Sequence, residues 1–104
     1  MKEYSFVAEC FWTGVKESDL VALDRRVEDC VARMTRDGRS VQYLGSMLMR
    51  EDEIVMCFFE GSASNVLKAA ELAEIPFERI LETTHSGAAI KPTTTTKVRR
   101  GQGS

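Results

Sequence analysis

The side chains best suited to chemistry are two carboxylates, a phenol and an imidazole in or beside strand-like segments: Glu9, Glu60, Tyr43 and His85. A carboxylate that is partly removed from water has a raised pKa and can act as a general base or acid. A tyrosine hydroxyl or an imidazole beside it can orient a substrate oxygen. These residue types would suit proton transfer in a cofactor-independent isomerisation, cyclisation or aldol-type closure.

Each of these residues also has an ordinary structural explanation. Glu60 ends an apolar run before a Gly-Ser pair, where a carboxylate often caps the next helix. Glu9 can be neutralised by an arginine across a dimer, such as Arg79 or Arg50. The phenol can be an interface aromatic, and the imidazole an exposed residue at the end of a strand.

A second group of residues is suited to holding an apolar ligand. Met47, Met56 and Phe58 belong to strand-like segments, and Glu82 lies in a later one. Methionine side chains adapt to irregular apolar shapes, so they suit a pocket as well as a core or an interface. These four residues are the predicted ligand-binding set.

The segment that must position both groups is 53–61. Six consecutive apolar residues, from Ile54 to Phe59, are rich in β-branched and aromatic types, which predicts a strand. Successive side chains of a strand alternate between two faces, so both faces of this strand are apolar. Helices of one small domain can cover one face, and the other face needs a different cover.

The flanking segments predict a strand, helix, strand, strand, helix, strand order. Gly45 within the second strand indicates a bulge or a close backbone approach. The charged side of the first helix, which includes Asp24, is predicted to face solvent. The predicted elements are a strand over 4–12, a helix of about 18 residues from the cap Ser18 to Gly38, strands over 41–49 and 53–61, a helix capped by Ser62 or Ser64 and stopped by Pro76, and a strand over 79–85.

This order predicts an α+β fold, the ferredoxin-like βαββαβ sandwich. Right-handed crossovers place both helices on one face of a four-stranded antiparallel sheet. The first and third strands are then central. The sequence does not fix which face each strand residue occupies. If Glu60 shares the open face with Met56 and Phe58, then Glu9 is expected there from the first strand, and Tyr43 and Glu82 can join it from the neighbouring strands.

The charge distribution separates a domain over 1–86 from a basic, threonine-rich segment over 87–104. All sixteen acidic residues and ten of the fourteen basic residues precede residue 90, which gives the domain a formal charge of −6. This charge disfavours nucleic-acid binding. The final segment has no periodicity and is predicted to be a flexible tail. No apolar run approaches the ~20 residues of a membrane span, and no signal-peptide core precedes the first strand, so we expect a cytoplasmic protein.

Metal or redox chemistry has little support in the residue spacing. The three cysteines form no CxxC pair and are expected to be buried small hydrophobic residues. His85 is the single histidine, and no HxH or HxxxH motif is present. We therefore predict neither a metal site nor a cofactor.

Several short motifs carry a resemblance to a known family: Tyr43-Leu44-Gly45-Ser46, Glu51-Asp52-Glu53, Cys57-Phe58-Phe59-Glu60-Gly61 and the segment from Ala70 to Ile80. The chain resembles a small ferredoxin-like domain family of unknown function whose members are sometimes described as nickel-binding. The resemblance implies a homodimer in which two sheets pack open face to open face, as in dimeric α/β-barrel proteins. Relatives of that architecture include cofactor-free monooxygenases, isomerases, cyclases and haem-handling enzymes.

The leading hypothesis is a homodimer that binds a small, largely apolar molecule on the open sheet face. A second hypothesis is a cofactor-free isomerase, cyclase or monooxygenase that uses the carboxylates of that face. A third is a nickel or other transition-metal-binding protein centred on His85. A fourth is a purely structural or regulatory partner domain.

Overall fold

A computed structural model describes residues 4–84 of the chain, with Tyr4 described by its backbone. The helices and strands follow the predicted order, and their bounds are β1 Tyr4–Phe11, α1 Glu17–Arg36, β2 Val41–Met49, β3 Ile54–Gly61, α2 Ala63–Leu72 and β4 Arg79–Thr83. The bounds of β2 match the prediction, whereas β1 ends one residue earlier than predicted and β4 ends at Thr83. The predicted tail and His85 lie outside the described residues.

The four strands form one antiparallel sheet in the order β2-β3-β1-β4. Both helices pack on one face of the sheet, and this confirms the predicted α+β fold with its βαββαβ order. The core between sheet and helices includes the buried strand residues Phe6, Ala8, Cys10, Val55, Cys57 and Phe59 and the buried helix residues Leu23, Val27, Cys30, Met34, Val66, Ala69 and Ala70. Since Ala69 and Ala70 have small side chains, α2 lies close to the sheet.

The first helix begins two residues before the predicted position. Lys16 is the N-cap, and its backbone N–H donates to the Asp19 carboxylate at 2.9 Å. The prediction that Ser18 caps the helix is wrong, because Ser18 lies inside the first turn. An acidic side chain at the third helical position replaces the serine hydroxyl as the partner of the free backbone donors.

The second helix is capped by a serine, as predicted. The Ser62 hydroxyl accepts a hydrogen bond from the backbone N–H of Asn65 at 3.2 Å. Glu60 is therefore not the N-cap of α2, and its carboxylate needs another explanation. The helix ends at Leu72, four residues before Pro76.

The second strand contains the bulge that Gly45 predicted. Tyr43 pairs with Phe59 and Gly45 pairs with Phe58, so Leu44 is an extra residue in β2. One extra residue reverses the alternation of side chains along the strand. Tyr43 consequently points to the opposite face from the one that strict alternation with Met47 would give.

Within residues 4–84, no helix is long and apolar enough to cross a membrane.

Candidate functional site

The register of the sheet arranges the open face in four rows, three of which cross all four strands from β2 to β4. The first row consists of Met49, Ile54 and Phe11, and the second, here called the charged row, consists of Met47, Met56, Glu9 and Arg79. The third row, called the apolar row, consists of Gly45, Phe58, Val7 and Leu81. The fourth row, called the polar row, consists of Gln42, Glu60, Ser5 and Thr83. Residues that pair across antiparallel strands share a face, which fixes these assignments.

Apolar side chains on this face are exposed in the single chain. Phe11 is 55% exposed, Met47 is 50% exposed and Leu81 is 37% exposed. Val7, at the centre of the apolar row, is already buried by its neighbours. A contiguous apolar surface of this kind commonly marks an interaction or ligand site.

An ion pair extends from the centre of this apolar surface to its β4 edge. The Arg79 Nε donates a hydrogen bond to Glu9 Oε1 at 2.7 Å. The two residues are register partners on β1 and β4, so the pair forms within one chain. The sequence suggests Arg79 as a partner of Glu9 across a dimer, whereas the structure places this contact inside the monomer.

The two partners of the ion pair differ in exposure. The side chain of Glu9 is 11% exposed, whereas that of Arg79 is 62% exposed. The carboxylate is thus covered by its neighbours and the guanidinium is in contact with solvent. The open face presents the cation of the pair rather than the anion.

Glu60 lies on the same face as Glu9 but not beside it. Glu60 pairs with Ser5 and Gln42, whereas Glu9 pairs with Met56. The two rows are four residues apart along the strands, or about 13 Å. The open face therefore carries both predicted carboxylates but does not bring them into one acid–base pair.

The Glu60 carboxylate borders a shallow depression at the β2 edge of the sheet. This depression has a volume of about 320 Å³ and is lined by Thr35, Ser40, Val41, Gln42 and Glu60. Its lining is mostly polar. It is therefore distinct from the apolar surface around Met56 and Phe58.

Tyr43 does not belong to the open face. Its hydroxyl donates to Asp24 Oδ1 on α1 at 2.5 Å, and its ring lies 5.1 Å from that of Phe59, centroid to centroid. The Ser46 hydroxyl donates to the same oxygen of Asp24 at 2.8 Å. The expectation that Tyr43 joins Glu9 is wrong, because the bulge at Gly45 turns the phenol towards the helices.

Burial raises the pKa of Tyr43 above its ordinary range, and the hydrogen bond to Asp24 raises it further. The pKa values of the neighbouring thiols, Cys10 and Cys57, are shifted in opposite directions. A hydrogen bond to Cys10, followed by burial, raises the pKa of Cys57, and the same bond lowers the pKa of Cys10. A phenol and a Cys57 thiol in this environment stay protonated at neutral pH, which suits a structural network beneath α1.

Asp24 is the residue of this network that the sequence pattern assigns to the solvated side of α1. It is half-buried and accepts both hydroxyl hydrogen bonds from β2. Its position one residue after Leu23, which is fully buried, puts it at the edge of the buried stripe. The signal that could have identified Asp24 is this boundary position opposite two hydroxyl-bearing residues of the next strand.

The remaining predicted site residues lie elsewhere. Glu82 pairs with Phe6 and therefore lies on the helix side of the sheet, where it is exposed. The prediction that Glu82 lies on the open face is wrong, because Leu81 and Thr83 are the residues of β4 on that face. His85 is outside the described residues. Met47, Met56 and Phe58 do share the open face, as predicted.

No group of three or more histidine, cysteine, aspartate or glutamate side chains is placed to hold a metal ion among residues 4–84. Cys10, Cys30 and Cys57 are free and buried. The second arginine expected as a partner of Glu9, Arg50, forms an ion pair with Glu17 instead.

Comparisons with known proteins bear on the fold alone. No family model matches the chain, and no curated protein matches it significantly. A solved structure, that of SCO4226 from Streptomyces coelicolor A3(2), is similar with a TM-score of 0.57 and 18% sequence identity. The match covers 83% of this chain and 100% of SCO4226. The chain thus shares its small α+β fold with a bacterial protein of similar size.

Proposed function

We propose that the protein is a homodimer that holds a small, largely apolar molecule between the open faces of its two sheets. The observation that carries the proposal is the exposed apolar surface of Phe11, Met47 and Leu81 around a nearly buried carboxylate. Water contact with this surface is unfavourable, and a second copy of the same face would remove it.

The size of the chain supports self-association. A domain of this length buries a smaller fraction of its surface than a large one, so its stability gains much from an interface. The helices cover only one face of the central strands β1 and β3. Two sheets that pack face to face lie about 10 Å apart, and flexible methionine side chains such as Met47 and Met56 leave room for a ligand between them.

Sedimentation velocity over the micromolar range tests the dimer. Met47→Lys and Phe11→Lys should each shift the protein to monomer, because a lysine in the interface would lose its hydration. Leu72→Lys and Val21→Lys are the matched controls, since Leu72 is 51% exposed and Val21 is 54% exposed on the helices. A wild-type monomer at these concentrations would contradict the dimer, as would equal disruption by the control variants.

Fluorescence titration with the neutral dye phenylnaphthylamine tests the ligand site. The wild-type protein should bind the dye, and Met47→Gln should weaken binding while Leu72→Gln leaves it unchanged. Native mass spectrometry of the purified protein should then reveal a co-purified small molecule. Absence of dye binding to the wild type would overturn the ligand part of the proposal.

A further inference from the structure

We propose that the molecule held on the open face is an amphiphilic acid, with its carboxylate or other oxyanion bound by Arg79 and its apolar body lying along Met56 and Met47. This inference rests on the proposed function, and it adds the chemical class of the ligand. The three residues belong to the charged row, which also contains Glu9.

Arg79 has hydrogen-bonding capacity that the described residues do not use. A guanidinium carries five N–H donors, and the one on Nε is engaged by Glu9. The four donors on the two terminal nitrogens have no partner among residues 4–84. A planar pair of such donors matches the two oxygens of a carboxylate, which arginine binds in a bidentate way.

Glu9 acts as a positioning residue for this cation. Its carboxylate is fixed on the central strand β1, and the 2.7 Å hydrogen bond to Nε holds the guanidinium of the edge strand β4 in one place. Because Glu9 is covered and Arg79 is exposed, an approaching molecule meets the positive member of the pair first. The electrostatic preference is therefore for an anion.

The surroundings define the rest of the ligand. The charged row runs from Arg79 on β4 across Glu9 and Met56 to Met47 on β2, a distance of about 14 Å for four adjacent strands. The apolar row lies on one side of it, and Phe11 and Ile54 lie on the other. A cation at one end of an apolar strip matches a molecule with an acidic end and a hydrocarbon or aromatic body.

Two dyes that differ by one charged group provide the test. Anilinonaphthalenesulfonate has the ring system of phenylnaphthylamine and carries an additional sulfonate. Wild-type protein should bind the sulfonate dye about tenfold more tightly than the neutral dye, because hydrogen bonds to the positive guanidinium give a net gain over the water contacts that the sulfonate loses. Arg79→Gln should remove that difference and leave binding of the neutral dye unchanged.

Three controls separate the possible results. Arg50→Gln removes an exposed cation that pairs with Glu17 and does not belong to the charged row, and it should leave both affinities as they are. The double variant Glu9→Gln/Arg79→Gln avoids an unpaired buried carboxylate, so it reports on dye selectivity even where Arg79→Gln alone is unstable. Sedimentation of each variant identifies any change in the oligomeric state.

The results distinguish this inference from the proposed function. Equal binding of both dyes to the wild type, or no effect of Arg79→Gln on their ratio, would overturn the acidic-ligand inference and leave the apolar site intact. Failure of both dyes to bind would overturn the inference together with the ligand part of the proposed function. Dissociation of the dimer by Arg79→Gln without a change in the dye ratio would assign the cation to the contact between copies and overturn the inference.

Discussion

The hydroxyl of Tyr43 donates to Asp24 at 2.5 Å and so joins strand β2 to helix α1 on the covered side of the sheet. Ser46 donates to the same carboxylate oxygen from two positions beyond the bulge residue Leu44. Two hydroxyls and one carboxylate satisfy one another there without a ligand. This arrangement explains Tyr43 as part of the architecture that holds α1 in place.

Removal of the Tyr43 hydroxyl should destabilise the fold without affecting the open face. Tyr43→Phe leaves Asp24 with one hydroxyl partner, and we expect the free energy of unfolding to fall by about 1–2 kcal/mol. Urea denaturation measures this change, and Ser46→Ala provides a comparison from the same network. Dye binding and sedimentation should stay as in the wild type. A loss of dye binding in the folded Tyr43→Phe protein would show that the phenol serves the ligand site after all.

The raised pKa values of Tyr43 and Cys57 predict a loss of stability at alkaline pH. In the unfolded chain these groups ionise near their ordinary values of 10.0 and 9.0, whereas the folded chain keeps them protonated. Their contribution to stability is therefore present in full below pH 9 and is lost as the pH rises. Each group contributes a slope of about 1.4 kcal/mol per pH unit above its unfolded pKa.

Urea denaturation at about pH 8, 9.5 and 10.5 measures this slope and compares it with the value for a single ionising group. The double variant Cys10→Ala/Cys57→Ala should flatten the dependence that begins near pH 9, because Cys57→Ala alone would leave Cys10 buried without the hydrogen bond that lowers its pKa. Tyr43→Phe should flatten the part above pH 10. The absolute stability of each variant is lower than that of the wild type, so the comparison is of slopes. Parallel curves for the wild type and both variants would contradict the prediction.

The fold could be predicted because each element has a strong local signal. These signals depend on residues that are close in the chain. They are the apolar run of β3, the helical spacing of Leu23, Val27 and Cys30, and the serine at the start of α2. The N-cap of α1 could not be predicted in the same way, because the cap residue Lys16 has no side-chain acceptor and its backbone N–H is bound instead by the Asp19 carboxylate. A serine near a helix start is a weaker indicator than the carboxylate that can reach a free backbone donor.

The candidate site was only partly predictable because it depends on which face each residue occupies. Gly45 indicates a bulge, but strict alternation along β2 takes no account of the shift that a bulge causes. The extra residue of the bulge places Tyr43 and Met47 on opposite faces of the sheet. Glu9 and Arg79 are seventy residues apart in the chain, and only the pairing of β1 with β4 places them together.

Loss of one partner of the Glu9–Arg79 pair should destabilise the fold, because the nearly buried carboxylate of Glu9 would be left without its cation. Arg79→Met removes the partner of a nearly buried Glu9, and we expect the free energy of unfolding to fall by about 1–2 kcal/mol. The loss is no larger because water partly screens the exposed arginine. Glu9→Met/Arg79→Met should recover most of that loss. Chemical denaturation of the two single variants and the double variant forms a complete cycle.

The coupling energy from this cycle decides whether the ion pair acts as a unit. Strictly additive losses would mean that Arg79 stabilises the sheet through its aliphatic stem, by packing on its neighbours. Arg50→Met is the control, because Arg50 pairs with Glu17 and both side chains are mostly exposed. Its effect should be within a few tenths of a kcal/mol.

The two glycines of the β2–β3 pair should differ in their tolerance of alanine. Gly45 has φ of +115° and open space where an added Cβ would lie, so Gly45→Ala introduces backbone strain alone, about 1–2 kcal/mol. Gly61 has φ of +148°, and an added Cβ would lie 3.2 Å from the carbonyl oxygen of Ser40 and 3.3 Å from the Cα of Val41. Gly61→Ala should therefore lower the unfolding midpoint in urea further than Gly45→Ala. The reverse order would mean that the backbone of β2 near Val41 can shift to accommodate the added Cβ, and that the bulge at Gly45 tolerates less change in backbone conformation.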